Sequence, residues 1–321
     1  VVVSTQKSSM VPQELLFLTV WNLEGDLDRK AFQEAWRETA RANSILRTTF
    51  DWDDALADGA QIVHAEPVLD WESRDFSSLA AVGRETAILE YWQSTLREGM
   101  NAGKLPLFRL RLAQWSKQKY RLACIWHHGI MDIWVSLMTI QEVLARYEAI
   151  RGGVAPGIPA RRPFRDYVEW IGTKKQTAAA EAFWRQHLVN FSLQSLRRST
   201  PRFWADGQRE QTELRNNQVE YVPADLVSKI QSFARKHQLT PTTVFYAAWS
   251  LVQSVYQDEA DVVMHTTTSG RWSELDQVDT ILGPIVANQP FRVNTAFQTP
   301  VGDWLTHLQA QHGLVQSFDF V

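Results

Sequence analysis

Cysteine is nearly missing from this 321-residue chain: Cys124 is the only one. An intrachain disulfide is therefore excluded. With no CxxC or HExxH pattern, so is a familiar zinc site. Cys124 lies inside an apolar run and reads as a buried, inert thiol rather than a nucleophile. Such cysteine usage fits a reducing compartment, and the expectation is cytoplasmic. No apolar run approaches ~18 residues, so no transmembrane helix is expected and no membrane partner. The start, Val1-Val2-Val3-Ser4, lacks the charged region and cleavage pattern of a signal peptide. Basic excess is also missing. Net charge is −3 and Trp and Arg are scattered, so nucleic-acid binding is not expected. There is no GxSxG nucleophile elbow. The one glycine pair, Gly152-Gly153, closes a helical period instead of joining strand to helix, so it is no phosphate loop.

What the chain does have is apolar residues, 45% of the total, and an unusual 14 tryptophans. Most of these should anchor cores, because indole buries a large area. The length leaves room for two lobes. Strands are predicted at 15–23, 46–52, 107–115, 119–126 and 261–267, and extended stretches at 61–69, 218–222 and 285–293. Period-3.6 stretches predict helices at 29–43, 82–99, 134–150, 177–188, 224–237, 241–255 and 301–311. Asp28 and Thr240 stand as N-caps, and Pro241 fits the first helical position. Residues 190–218 are polar and irregular and read as loop. Residues 152–163, with several Pro and Gly, read as a linker or crossover. Both halves mix helices with mostly antiparallel strands, so the expected class is α+β.

The chemistry concentrates in Trp126-His127-His128-Gly129-Ile130-Met131-Asp132. Successive side chains of a strand alternate faces, so adjacent histidines point apart. One can face a cleft and the other the packed interior, and apart they make a poor metal pair. Histidine also holds and releases a proton near neutral pH, which an amine or hydroxyl attacking a carbonyl requires. Taken alone, a histidine in such a run is more often a satisfied core residue. No metal is expected.

The HHxxxD pattern resembles the signature of the condensation domains of nonribosomal peptide synthetases, within the chloramphenicol-acetyltransferase-like acyltransferases. Further matches come in the family's order. Ser4-Thr5-Gln6 resembles its SxxQ element, Leu46-Arg47-Thr48-Thr49-Phe50 its LRTxF element, and Phe164 to Trp170 its YxDFxxW element. Ser269-Gly270-Arg271, then Gly283 to Val293, resemble its GR segment and GxxxNTxPxRV element. The resemblance implies two chloramphenicol-acetyltransferase-like lobes, 1–175 and 176–321, forming a V with a tunnel between them. The second lobe looks incomplete, because the chain stops short of the family's usual end. It implies His128 as the active-site histidine, acting as general base or stabilising the tetrahedral intermediate. His127, Asp132 and Arg47 would be its structural support, with Asp132 paired to Arg47. Gly129, Ile133, Trp134, Ser269 and Asn288 would line the substrate passage. The implied reaction joins a carrier-protein-bound acyl or peptidyl thioester to an acceptor amine or alcohol. No cofactor would be bound directly, since the phosphopantetheine belongs to the carrier. The chain would be part of a larger synthetase or a monomer.

Departures from the pattern carry information. The family's glycine after the aspartate is Ile133, and a β-branched residue would resist positive φ and narrow the passage. The Arg-His-Glu before LRTxF is Ala42-Asn43-Ser44, and the family's NT pair is Ala287-Asn288. These departures keep a second expectation open: a catalytically impaired module that recruits a carrier protein or tailoring enzyme. Heterocyclisation relatives carry Asp in place of the histidines, and epimerisation relatives carry a glutamate and histidine where Thr267 to Arg271 stand here, so neither is expected.

Overall fold

Nine residues of one strand, Lys119–His127, organise the first part of the molecule. In the computed structural model, which describes residues 10–11, 15–51, 59–174, 178–191, 220–271, 274–296 and 298–318, this strand is central in a four-stranded sheet. In chain order the strands are β1 (Met10–Val11), β2 (Leu16–Glu24), β3 (Thr48–Asp51), β4 (Ala60–Val63), β5 (Asp70–Asp75), β6 (Met100–Asn101), β7 (Phe108–Ser116) and β8 (Lys119–His127). The sheet order is β2-β8-β7-β5. β8 pairs antiparallel with β2, Leu16 opposite His127, and with β7, Phe108 opposite Trp126. β5 runs parallel to β7, the exception to the antiparallel expectation.

β8 is buried on both faces because its two alternating sets meet different clusters. Leu122, Cys124 and Trp126 join Trp36, Phe108, Leu110, Val135 and Val143 in the main core. Ala123 packs with Ile88, Tyr91 and Trp92, and Ile125 with Leu16 and Met100. Two helices supply the main-core side, α1 (Arg29–Ala42) and α3 (Ile133–Gly152); α2 (Ala81–Arg97) supplies the Ile88 cluster. The Asp28 carboxylate caps α1 by accepting from the Lys30 and Ala31 amides, both at 3.0 Å. α3 ends at Gly153 in the left-handed region, φ 64°, where glycine avoids a Cβ penalty.

The chain forms two compact units. The first is Val1–Trp170 with Arg271–Val286, and the second is Ile171–Gly270 with Ala287–Val321. A linear division at 175/176, a point outside the described residues, does not contain this return of 271–286. The 152–163 stretch lies wholly in the first unit, where the Arg161 and Arg162 side chains donate to the carbonyls of Thr280 and Asp276. α4 (Phe164–Lys174) follows, with Phe164 in the main core.

The second unit contains α5 (Ala178–His187), α6 (Ala224–Lys236), α7 (Pro241–Gln257), β9 (Asp261–Thr268), β10 (Ala287–Asn294) and α8 (Val301–Gln316). β9 and β10 pair antiparallel along their full length, Asp261 opposite Asn294. Their inward residues Val262, Met264, Phe291 and Val293 pack on Ala247, Trp304, Leu305 and Leu308. Thr240 caps α7, accepting the Thr243 amide at 3.2 Å. The Arg292 guanidinium grips the Asp261 carboxylate at 2.8 and 2.7 Å and donates to the His187 and Val189 carbonyls, tying the end of α5 to β10. No described helix is long and apolar enough to cross a membrane.

Candidate active site

β8 delivers the histidine pair, and the hydrogen bonds at its end fix both backbones. The His127 amide donates to the Leu107 carbonyl at 3.0 Å and the His128 amide to the Leu15 carbonyl at 2.9 Å. The chain then turns, the Ile130 amide reaching the His127 carbonyl at 3.1 Å. Asp132 then starts α3. Its Oδ1 accepts the Val135 amide at 2.7 Å, satisfying an N-terminal donor of the helix. Strand end, turn and helix start thus form one continuous rigid element around His128.

The two histidines have different environments. His127 is 4% exposed, beside the Phe50 ring at 5.9 Å. Its Nδ1 accepts the Gly129 amide at 2.8 Å, so the neutral ring carries its proton on Nε2, which is buried without a hydrogen-bond partner among the described residues. Burial, with a smaller push from His128, lowers its pKa from 6.5 to about 4. His127 is therefore neutral at pH 7. His128 is half-buried, meeting the Phe17 ring edge-to-face at 4.7 Å and the Trp126 ring at 5.9 Å.

Gly129 is required by space. A Cβ built there would lie 2.8 Å from Phe50 Cζ and 2.9 Å from His127 Nδ1. The glycine lets the turn close on His127 and brings Phe50 of the LRTxF segment against the histidine loop.

The expected Asp132–Arg47 pair is not formed. Arg47 Nη1 donates to the His64 carbonyl, while Thr49 Oγ1 meets His64 Nε2 at 2.8 Å. Asp132, 2% exposed, has one oxygen committed to its capping bond, and the guanidinium it favours electrostatically is Arg271. Burial pushes the Arg271 pKa down, and Asp132 is its strongest opposing charge. Arg271 also donates to the carbonyls of Val278, Ile281 and Gly283 at 3.2, 2.9 and 3.3 Å. It holds the 278–283 loop from inside.

Ile133 is the first residue of α3 and is 59% exposed. It is not among the positive-φ residues, so the position needs no glycine freedom, against the expectation of strain there. Trp134 follows on the same helix at 50% exposure. Ser269 and Asn288 lie in the second unit, where the exposed Asn288 Oδ1 accepts from Thr267 Oγ1 at 2.7 Å. Of the departures from the LRTxF pattern, Asn43 has a clear structural task. Its Nδ2 donates to the Thr39 carbonyl and to the buried Glu142 carboxylate, which Arg146 and Arg161 also grip. The Ser4-Thr5-Gln6 element and most of the 190–218 loop lie outside the described residues. Among the described residues no group of three His, Cys, Asp or Glu is placed to hold a metal.

Sequence reasoning missed Phe17, Thr19, Ser136 and the Arg271–Asp132 relation. Trp126 Nε1 donates to Thr19 Oγ1 at 2.9 Å, and Ser136 Oγ lies 3.3 Å from the same hydroxyl. These contacts lock β8 to α3 beside His128. Only the β2–β8 register reveals them, and that register is tertiary information.

Comparison with known proteins gives a consistent answer. The family model described as a condensation domain matches residues 6–319. One of the linear gramicidin synthase proteins of Brevibacillus parabrevis is 30% identical over 292 residues, 91% of this chain and 6% of that protein. The chain thus spans a small part of its relatives' length. Among solved structures, SgcC5 from Streptomyces globisporus shares the fold with a TM-score of 0.76 at 18% identity, covering 98% of this chain and 70% of that one. The X-domain solved in complex with OxyB from teicoplanin biosynthesis gives 0.69 at 18% identity, covering 99% and 72%.

Proposed function

The chain belongs to the condensation-domain family of nonribosomal peptide synthetases, and from this we propose that it joins a carrier-bound acyl or peptidyl thioester to an acceptor amine or hydroxyl. The observation that carries the proposal is the division between the histidines: His127 buried and neutral, His128 half-buried at the end of a locked strand. A reacting imidazole needs access and a fixed position together.

In the proposed reaction the acceptor nitrogen or oxygen attacks the thioester carbon. A C–N or C–O bond forms, and negative charge gathers on the carbonyl oxygen. Collapse of this tetrahedral intermediate breaks the C–S bond, and the pantetheine sulfur leaves and takes up the proton that the nucleophile gave up. His128 is the group in position to move that proton or to stabilise the intermediate. Asp132 and Arg271 act at a distance, by capping α3 and by holding the 278–283 loop. The pantetheine arm belongs to the carrier protein, the proposed partner.

The test is an intact-mass assay of condensation between loaded donor carriers and a panel of amines and alcohols. His128→Ala should lose ~10²–10⁴-fold in turnover while staying folded. Near-wild-type turnover by the folded variant would remove the catalytic reading. A second reading, a recruitment module, is favoured by the likeness to an X-domain solved with a bound partner. It predicts no product with any donor, and carrier or tailoring-enzyme binding unaffected by His128→Ala.

A further inference from the structure

Phe17 is the unexplained residue beside His128. It lies in β2, directly opposite Trp126 in the β2–β8 register, and is 40% exposed. Exposure of a single apolar side chain is ordinary and explains nothing by itself. The contacts of Phe17 are nevertheless specific. It stacks on Trp126 with centroids 5.1 Å apart and planes at 18°, and meets His128 at 4.7 Å and 83°. Trp126 cannot give way, because it is 3% exposed and its indole N–H is held by Thr19. Thr19 is in turn within reach of Ser136 on α3.

We propose that Phe17 is a positioning residue for His128, a role that rests on the reading of His128 given above. A half-exposed imidazole at a strand end has several rotamers open to it. Here one side is filled by Phe17, which leans on the immobile Trp126. The edge-to-face contact is an arrangement aromatic rings prefer, and it disfavours rotations that break it. Thr19, Trp126 and Phe17 thus pass the rigidity of the sheet to the one side chain whose orientation the chemistry depends on. Misplacement by about an ångström is enough to cost ~10²-fold in rate.

The test uses Phe17→Ala, Phe17→Leu and Phe17→Tyr in the full chain, with His128→Ala as reference. Turnover is read with a panel of aminoacyl-pantetheine thioesters and free amines. Phe17→Ala should lower kcat by about tenfold or more, with KM for both substrates nearly unchanged. Phe17→Tyr, which keeps the ring, should restore most of the loss, and Phe17→Leu should not. Independently of activity, the His128 ring-proton resonances, assigned by their disappearance in His128→Ala, should move in the Ala and Leu variants as the phenyl ring current is removed. They should stay near wild type in Phe17→Tyr. Full turnover in Phe17→Ala beside an inactive His128→Ala overturns the positioning role alone, as do unmoved His128 signals. Full turnover in His128→Ala removes the functional reading instead, and with it the positioning role that rests on it.

Discussion

Acid should loosen the histidine loop through His127, the buried member of the pair. Its pKa falls from 6.5 to about 4 on folding, because burial disfavours the imidazolium. In the unfolded chain the residue takes up a proton near pH 6.5; in the folded chain it does so only near pH 4. Between those values the unfolded state binds more protons, so stability rises with pH across the window and falls as pH drops through it. A difference of about 2.5 pKa units at 1.36 kcal/mol each sets an upper bound of roughly 3 kcal/mol. His127→Asn is the matched perturbation. The amide oxygen can replace Nδ1 as acceptor for the Gly129 amide, and the side chain does not titrate. Urea unfolding of both proteins from pH 7.5 to 4.0 gives the assay. Wild type should lose up to about 3 kcal/mol relative to the variant, mostly between pH 6.5 and 4. Taking the difference cancels His187 and His312, whose pKa values burial also lowers. Parallel pH curves for the two proteins would refute the argument.

Other outcomes follow from the same geometry. Gly129→Ala should destabilise by about 1–3 kcal/mol through overpacking on Phe50 and His127, and Phe50→Leu in the same chain should recover part of it. A double-mutant cycle should show Asp132 coupled to Arg271 by roughly 1 kcal/mol or more and to Arg47 by almost nothing; the reverse order would reinstate the pairing with Arg47. Asp132→Asn should keep most of the α3 cap, whereas Asp132→Ala loses about 1 kcal/mol of it in thermal unfolding. Ile133→Gly at an exposed first helical position should cost at most about 1 kcal/mol. If Ile133 limits donor access, turnover in that variant rises more for wide donors than for slim ones; a uniform change across the series refutes this.

Local chemistry was legible in the sequence wherever it decides structure by itself. Asp28 before an amphipathic run and Thr240 before Pro241 cap the helices they were expected to cap. The strand at 119–126 and its hairpin partner were legible from an apolar run and a polar turn, and the strand extends one residue further, to His127. β5 was not, because Asp70-Trp71-Glu72-Ser73-Arg74-Asp75 is too polar to announce a strand. Its partner explains it: Asp70 faces Arg109 and Glu72 faces Arg111, and Arg111 reaches Asp70 at 2.7 Å. The stretch 46–52 was read as one strand, yet its first residues complete a 3-10 turn, Ser44–Arg47, that carries Leu46 into the core. The different surroundings of His127 and His128 were legible too, because they follow from strand alternation. The countercharge of Asp132 was not, because Arg271 is far away in sequence and reaches the loop only through the return of 271–286.

That return bears on how the protein comes to be made. Leu275, Val278, Ile281, Leu282 and Ile285 belong to the same core as Phe32, Trp36 and Phe164. Gly283 meets Phe164 so closely that a Cβ there would lie 1.9 Å from its ring. During synthesis the first unit emerges with that part of its core vacant, and the vacancy persists while Ile171–Gly270 is translated. Closing so long a chain segment carries an entropic cost before the late contacts form. A nascent chain arrested before Arg271 should therefore expose apolar surface to chaperones and proteases, and one arrested well beyond Val286 should not. The late segment also carries Arg271, so the Asp132 carboxylate gains its countercharge last. The electrostatic surroundings of the histidine loop are therefore completed only after residue 271 has been made.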